Sequence, residues 1–284
     1  MGNYLDVDAV NWSSLKHLQV SPKRYRWHQD NPQVDSDFMR LGRATHAAVF
    51  EPDRFLSDFV AWTGKKRGGK AWKTFQDEHA HQTILTLSAM ERATAIGEAV
   101  RTHPEVRILL ESPSNEYERE IVWTDLATQL KCKAKLDCVI PFRKMFLDLK
   151  TDSKGINLFS FSRTMNRMGY AHQMRWYQRG LREVTGEDYS PILVPVESFP
   201  PFDAAVYDLG QESIEVADAE IDELLATLVN CIESGQWPGA HPVRQTIDLP
   251  RWRLDTETED AEGLGLDWSA ANDGDASNDE ACGL

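Results

Sequence analysis

The sequence predicts a mixed α/β (α+β) fold in which a central mixed sheet is flanked by helices. Three strand-like segments follow one another at 118–124, 128–140 and 143–151, and they are rich in the alternating and β-branched residues typical of strands. Apolar residues recur at helical spacing before them, in residues 11–111, and again after them. A further strand-like segment, SPILVPVES at 190–198, then completes an order typical of helices packed on a sheet.

The 284-residue length and 41% hydrophobic content fit one domain at 1–254 with a separate tail. We expect a helical part at about 1–111, a sheet core at about 112–210, and a helix with an extension at about 211–254. The tail, 255–284, holds ten Asp or Glu and no Lys or Arg. This composition predicts a disordered, solubilising extension. The alternative is a partner-docking or DNA-mimicking segment around Leu264, Leu266 and Trp268.

The formal net charge of −14 argues at first against a nucleic-acid partner. Without the tail, residues 1–254 keep 35 acids against 31 bases, a net of only −4. No run of about 18 apolar residues exists, and the first residues do not resemble a signal peptide. We therefore expect a cytoplasmic protein with no membrane partner. The four cysteines form no CxxC spacing, so no zinc or iron–sulfur site is predicted.

The N-terminal part begins with two predicted helical regions. NWSSLKHLQVSPKRYRWH, at 11–28, predicts two short helices interrupted at Pro22. DFMRLGRATHAAVFEP predicts a helix that Pro52 stops, with Gly42, His46 and Phe50 four residues apart on one stripe.

A basic segment follows, GKKRGGKAWK at 64–73, with five Lys or Arg and three glycines. A flexible basic segment suits a phosphate backbone, because cations neutralise phosphate charge while glycines let the chain conform. The alternative is a solvated loop. Residues 71–111 have a helical pattern with a break at Pro104.

The second and third strands predict a hairpin that brings two carboxylates together. In 128–140 the apolar residues occupy even positions, which predicts one core face and one face carrying Lys131, Lys133, Lys135 and Asp137. A two-residue loop at 142–143 would place Asp137 opposite Asp148, and a turn centred on Pro141 would shift the register by two on the same face. Either register leaves the carboxylates roughly 5 to 8 Å apart. Such like charges call for a cation, and a hard divalent ion with oxygen ligands satisfies them.

Residues 166–184 predict a helix with two functional faces. Tyr170, Gln173 and Tyr177 share one face with Leu181, and arginines occupy another. A strand at 190–198, a short strand in AAVYDL and an amphipathic helix at about 212–234 complete the domain.

These features in this order resemble the PD-(D/E)XK nuclease superfamily. The matching motifs are GRATH with the following VFEP, the KLD strand end, the LDLKT strand and GYAHQMRWY. They are most similar to the RecE-like (exodeoxyribonuclease VIII-type) exonucleases of phages and prophages, as are the basic glycine-rich segment and the later WPG and LPRW. The resemblance covers about residues 10–253. LD in place of PD, and Asp148 in place of Glu, are departures found within the RecE-like branch.

The resemblance implies a PD-(D/E)XK restriction-endonuclease-like core and a definite set of site residues. The implied catalytic residues are His46, Asp137, Asp148, Lys150, Tyr170 and Gln173. Mg²⁺ or Mn²⁺ would be held by His46, Asp137, Asp148 and the Leu149 carbonyl. We expect Lys150 to orient water and stabilise charge rather than accept a proton, because the neighbouring carboxylates raise its pKa.

Sequence-independent contacts to the DNA backbone are expected from basic side chains. These are Lys65, Lys66, Arg67, Lys70, Lys73, Lys133, Lys135, Arg163 and Arg175.

The resemblance further implies a 5′–3′ exonuclease that acts on linear duplex DNA ends in homologous recombination. Its products would be 3′ single strands for a RecT-like annealing protein, and the enzyme would work as a ring-shaped homo-oligomer. One alternative is a RecB-like or CRISPR-adaptation nuclease without an iron–sulfur cluster, which shares the Gln-x-x-x-Tyr helix. A second is a DNA-end-binding module that has lost catalysis. A structural phage component ranks last.

Overall fold

The computed structural model describes residues 7–31, 34–241 and 243–249. The chain divides into one unit at 1–242 and another at 243–284, and the described residues of the second, 243–249, contain no helix or strand. The predicted tail boundary at 254 and the acidic tail lie outside the described residues, so they stay predictions. No helix in the described part of the chain is long and apolar enough to cross a membrane.

Short helices dominate the N-terminal part, as the sequence predicts. They are α1 (Trp12–Leu15), α2 (Pro22–Asp30), α3 (Asp37–Phe50), α4 (Pro52–Asp58), α5 (Gly69–Glu78), α6 (Leu87–Thr102) and α7 (Pro104–Leu110), with a 3-10 helix at Lys16–Gln19 after α1. Proline sets three of the boundaries, because it lacks the N–H that a helix interior needs but fits the first helical position. Ser21 caps α2 by accepting the backbone N–H of Arg24.

A small parallel sheet includes part of the region predicted to be helical. Strands β1 (Phe59–Trp62) and β2 (Thr83–Thr86) pair in parallel, so the predicted helical pattern over 71–111 is wrong at β2. Each strand has four residues, too few for alternation to distinguish it from a helix. The basic segment is also only partly a loop, because α5 already begins at Gly69.

A mixed sheet forms the centre of the molecule, as predicted. Among the described residues its strands are β3 (Glu116–Thr124), β4 (Lys131–Ile140), β5 (Met145–Asp152), β6 (Ser190–Glu197) and β7 (Tyr207–Asp208), in that spatial order. Strands β5 and β6 are parallel, whereas the other neighbouring pairs are antiparallel. The parallel pair needs a crossover, which the helices α8 (Leu158–Met168) and α9 (Tyr170–Thr185) provide.

The hairpin between β4 and β5 has the register predicted for a two-residue loop. Cys138 pairs with Leu147 and Ile140 with Met145, so Asp137 falls opposite Asp148 when the register is continued. The connection is a 3-10 turn, Pro141–Arg143, followed by Lys144 with a left-handed φ of 51°. The pairing stops at Cys138, so the two strands separate at the two aspartates.

Strand β4 changes the face that it presents at Asp137, which corrects the predicted division into one core face and one basic face. Up to Leu136 the even-numbered residues pack in the core cluster beneath α9 and α10 (Gln211–Ser234). Cys138 instead packs in the cluster beneath α3 and α6. Glu118, which faces Asp137 across β3 and β4, has a φ of 52°. This left-handed residue of β3 therefore lies opposite the position at which the alternation of β4 is interrupted.

The predicted helix at 166–184 begins later, because Gly169 separates α8 from α9. Gly169 has a φ of 69° and ends α8 in a left-handed cap. A Cβ atom added there would lie 3.0 Å from the Trp12 ring, so the glycine also lets α1 approach. Helix α9 therefore starts at Tyr170, directly beneath the sheet.

Candidate active site

The site begins where β4 and β5 separate. The backbone N–H of Leu149 donates to Oδ2 of Asp137 over 2.8 Å. The aspartate side chain thus occupies the place of a ladder partner and satisfies a backbone donor that the parting strands would leave unpaired. Because this bond fixes the carboxylate at the sheet opening, Oδ1 remains available to face α3.

Helix α3 places His46 against Asp137. The flanking residues Thr45, Ala48 and Val49 are buried, so the helix is held against the core. Nδ1 of His46 lies 3.2 Å from Oδ1 of Asp137. Burial lowers the pKa of His46, but the Asp137 carboxylate outweighs it and the net shift is upward. For Asp137, burial raises the pKa, while His46 and Lys150 hold it below its ordinary value.

Glu118 is a site residue that sequence reasoning missed. A nitrogen or oxygen ligand atom from each of His46, Glu118 and Asp137 falls within 4.8 Å of the others. Glu118 has a left-handed backbone conformation and lies opposite Asp137. In the observed register Tyr117 pairs with Cys138, which places Glu118 opposite Asp137. The sequence would have indicated Glu118 only if this register were known. The strand pattern did not define the length of the β3–β4 connection, so it left the register open.

Asp148 is the most buried acid of the site, with only 2% of its side chain exposed. The Lys150 ammonium lies 2.5 Å from its Oδ2. Burial raises the pKa of Asp148 to about 6, although Lys150 opposes the shift. The structure groups Asp148 with Lys150 rather than with the His46, Glu118 and Asp137 cluster.

A chain of contacts from α9 fixes the Lys150 ammonium. Lys150 Nζ donates to Oε1 of Gln173 over 2.8 Å, and the Gln173 amide donates to the Tyr177 hydroxyl over 2.7 Å. The ammonium also lies 4.6 Å from the centre of the Tyr170 ring. Burial lowers the pKa of Lys150, but Asp148 and Asp137 outweigh it and raise the pKa above its ordinary value. Lys150 is therefore a cation and a hydrogen-bond donor at neutral pH.

The donor set fits a hard divalent cation. Carboxylate oxygens with one imidazole suit Mg²⁺ or Mn²⁺. His46, Glu118 and Asp137 converge without bringing a thiol into their group. Asp148 adds a second buried carboxylate, whose Oδ2 is paired with the Lys150 ammonium. The Leu149 carbonyl stays a predicted ligand.

A cavity of about 390 Å³ opens onto His46, Glu118 and Asp137. Its wall includes Arg43 and Arg54, which the sequence did not single out, and Lys135, which it did. Lys135 lies 2.6 Å from Glu118. Glu51 and Asp58 also line the cavity and pair with Arg54, so the cavity lining carries charges of both signs.

The other predicted DNA-binding residues lie in different places. Lys65, Lys66, Lys70 and Lys73 are exposed, and Arg67 binds Asp37 at the start of α3 over 2.8 Å. Arg67 therefore joins the basic segment to the helix that carries His46. Their contact with DNA stays a prediction.

Three predicted basic residues are not brought to the site. Lys133 is buried and donates to the Val7 carbonyl over 2.7 Å. Arg175 forms two hydrogen bonds with Asp218 of α10. Arg163 is exposed on α8 and lies over the Phe159 ring. Their DNA-binding role stays a prediction.

Comparison with known proteins identifies the fold family. No curated protein matches the chain. The structure is similar to a protein from Eubacterium rectale described as a "putative exonuclease", at 14% identity and a TM-score of 0.58, covering 88% of this chain and 94% of that one. A phage-related exonuclease from Haemophilus somnus 129PT is matched at 13% identity and a TM-score of 0.37, covering 82% and 98%. The first likeness shows a shared fold.

A family model covers the described helices and the central sheet together. It matches residues 11–242, which include every residue of the site built above. The fold and the arrangement of acids and lysine at the parting strands agree with this match. The chain belongs to the family described as the PDDEXK-like domain of unknown function, DUF3799.

Proposed function

We propose that the protein is a divalent-metal-dependent deoxyribonuclease that hydrolyses phosphodiester bonds. The observation that carries the proposal is the buried Asp148–Lys150 pair beside the His46, Glu118 and Asp137 cluster. Buried ions are expensive to desolvate and contribute little to stability unless they are well compensated. Strongly perturbed titratable groups in a cleft are typical of functional sites.

His46, Glu118, Asp137 and Asp148 are the residues that would hold the metal. When bound, Mg²⁺ or Mn²⁺ supplies charge neutralisation at the phosphoryl oxygens and lowers the pKa of water. Lys150, kept protonated, donates hydrogen bonds to an attacking water or to a phosphoryl oxygen. Gln173 and the Tyr170 ring hold that ammonium in place. Lys150 thus supplies positioning and positive charge, and the proton of the attacking water passes to bulk water.

The finer proposal is 5′–3′ resection of linear duplex DNA for recombination. The RecE-like motifs support it, and so does the description of the structural relative as an exonuclease. The exposed lysines at 65–73 suit a DNA backbone, which carries no base information. A ring-shaped oligomer and a RecT-like partner belong to the same proposal and rest on the resemblance alone.

Digestion of linear duplex DNA labelled at either the 5′ or the 3′ terminus tests the proposal. We expect release of the 5′ label before the 3′ label with Mg²⁺ or Mn²⁺, and no release in EDTA. Lys150→Ala should abolish release, whereas Lys144→Ala, in the exposed β4–β5 turn, should retain it. Loss of neither label from wild-type protein with either metal would overturn the nuclease proposal and favour a DNA-end-binding module. Release of the 3′ label first would overturn the polarity alone.

A further inference from the structure

A second cavity lies beside the first one, on the adjacent face of α3. Its volume is about 280 Å³, and Gly42 lines both cavities. Thr151 and Ser153 approach from the end of β5, and Ser198 and Phe199 from the end of β6. These strands are parallel, and ligands of such sheets bind outside their carboxyl ends.

The cavity contains a buried hydroxyl with unused hydrogen-bonding capacity. Thr45 is fully buried and lines the cavity, and its Oγ1 has no hydrogen-bond partner among the described residues. A threonine within a helix commonly bonds a carbonyl of the preceding turn. Because this hydroxyl lacks a partner, a polar atom of a ligand in the cavity could supply its hydrogen bond.

Aromatic rings and one cation form the cavity's entrance. Phe38 is 78% exposed and Phe199 is 52% exposed, and both line the cavity. The Arg92 guanidinium lies 4.5 Å from the centre of the Phe199 ring. Arg92 takes part in none of the ion pairs found among the described residues. An exposed ring beside an uncommitted arginine suits stacking against a base and pairing with a phosphate.

We propose that this cavity binds the terminal nucleotide of the strand being digested, and hence the deoxynucleoside 5′-monophosphate product. The base would stack on Phe199 or Phe38, the phosphate would pair with Arg92, and Thr45 with the neighbouring serines would bond sugar or base. The volume lies just below the range of about 300–1,000 Å³ for small-molecule pockets, so it suits one nucleotide rather than a longer strand. This inference rests on the proposed nuclease function, because it assigns the cavity to that substrate.

Direct binding of dAMP to the full chain in EDTA, measured by calorimetry, tests the inference without catalysis. We expect saturable millimolar binding that weakens at least ~10-fold in Phe199→Ala and in Arg92→Gln. Thr45→Val, which keeps the branched shape, should weaken binding as well. The matched controls are Phe142→Ala, an exposed ring on the β4–β5 turn, and Arg101→Gln on the same helix as Arg92. Both controls should bind dAMP as wild type does.

The outcome separates the two proposals. Equal dAMP binding in wild type, Phe199→Ala and Arg92→Gln, or no saturable binding at all, would overturn the nucleotide site even if the protein digests DNA. Selective binding in a protein that digests nothing would keep the site and overturn the nuclease. Deoxyadenosine, which lacks the phosphate, should bind to wild type more weakly than dAMP does. Its affinities for wild type and for Arg92→Gln should be equal. If Arg92→Gln also weakened deoxyadenosine binding, the assignment of Arg92 to the phosphate would be wrong.

Discussion

Oδ2 of Asp137 accepts the backbone N–H of Leu149 at 2.8 Å, across the gap that opens between β4 and β5. One carboxylate therefore closes the end of the ladder and also faces His46 and Glu118 through its other oxygen. The opening of the sheet and the assembly of the acidic cluster are thus one structural event. Asp137→Ala would disturb both, so variants at neighbouring positions separate catalysis from folding more cleanly.

Glu118→Gln should weaken Mn²⁺ binding at least ~10-fold, because it removes one anionic oxygen from the cluster. Binding to the folded state raises stability with metal concentration, so the Mn²⁺ dependence of the melting temperature gives the affinity. The control is Glu120→Gln, an exposed acid on the same strand. An equal Mn²⁺ response in wild type and Glu118→Gln would remove Glu118 from the ligand set.

Asp148→Asn should stabilise the metal-free protein at pH 8. Burial raises the pKa of Asp148 from 3.8 to about 6, so the carboxyl costs no stability below pH 4, and the stability falls as the pH rises from about 4 to 6. The gain of the variant at pH 8 should be at most ~3 kcal/mol. Urea unfolding in EDTA should show this gain at pH 8 and a much smaller one at pH 4. A variant less stable than wild type at pH 8 would contradict the pKa direction.

Tyr170 should act through its ring. The Lys150 ammonium lies 4.6 Å from the ring centre, and such contacts contribute about 0.5–2 kcal/mol. Tyr170→Phe should keep kcat within ~3-fold, whereas Tyr170→Leu should lower it by ~10-fold with little change in KM. Steady-state digestion of duplex DNA gives both parameters. Equal losses in the two variants would instead assign the role to the hydroxyl.

The salt dependence of DNA binding should distinguish the basic residues that contact DNA from those that do not. Each phosphate contact adds about 0.9 to the slope of log affinity against log salt. Replacing Lys65 and Lys66 together with Gln should reduce that slope by about 2, because both are exposed. Arg175→Gln should leave the slope unchanged, since its guanidinium is bound to Asp218. Fluorescence anisotropy at several salt concentrations measures it, and a lower slope for Arg175→Gln would place that side chain on DNA.

Gly97→Ala should destabilise the fold by ~1–3 kcal/mol. A Cβ there would lie 2.8 Å from Ala48 Cβ and 2.9 Å from its carbonyl oxygen, so α3 would have to move away from α6. Gly42→Ala is the matched control, since nothing lies within 4 Å of its added Cβ. The control should gain up to ~1 kcal/mol from helix propensity. Urea unfolding distinguishes them, and equal stability would show that the two helices tolerate separation.

The sequence was sufficient for the site's central pair and insufficient for its surroundings. Asp148 and Lys150 share a face because strand geometry has period two, and the hairpin register follows from a short connection. Glu118 escaped because its role depends on a left-handed backbone and on the β3–β4 register. Arg175 was predicted to face DNA because a helical pattern shows which residues share a face, whereas only the tertiary structure shows that α10 covers it.

The contacts of residues 10–12 limit how far the N-terminus of the protein can be truncated. Val10 donates to the Lys131 carbonyl and accepts from the Lys133 N–H, so it extends the sheet where β5 has left β4. Trp12 then stacks on His172 of α9, with ring centres 5.0 Å apart. A fragment starting near residue 112 would retain Asp137, Asp148 and Lys150 but expose an unpaired strand edge. Minimal versions of this domain should therefore keep residue 7 onward, and affinity tags at the front need a spacer.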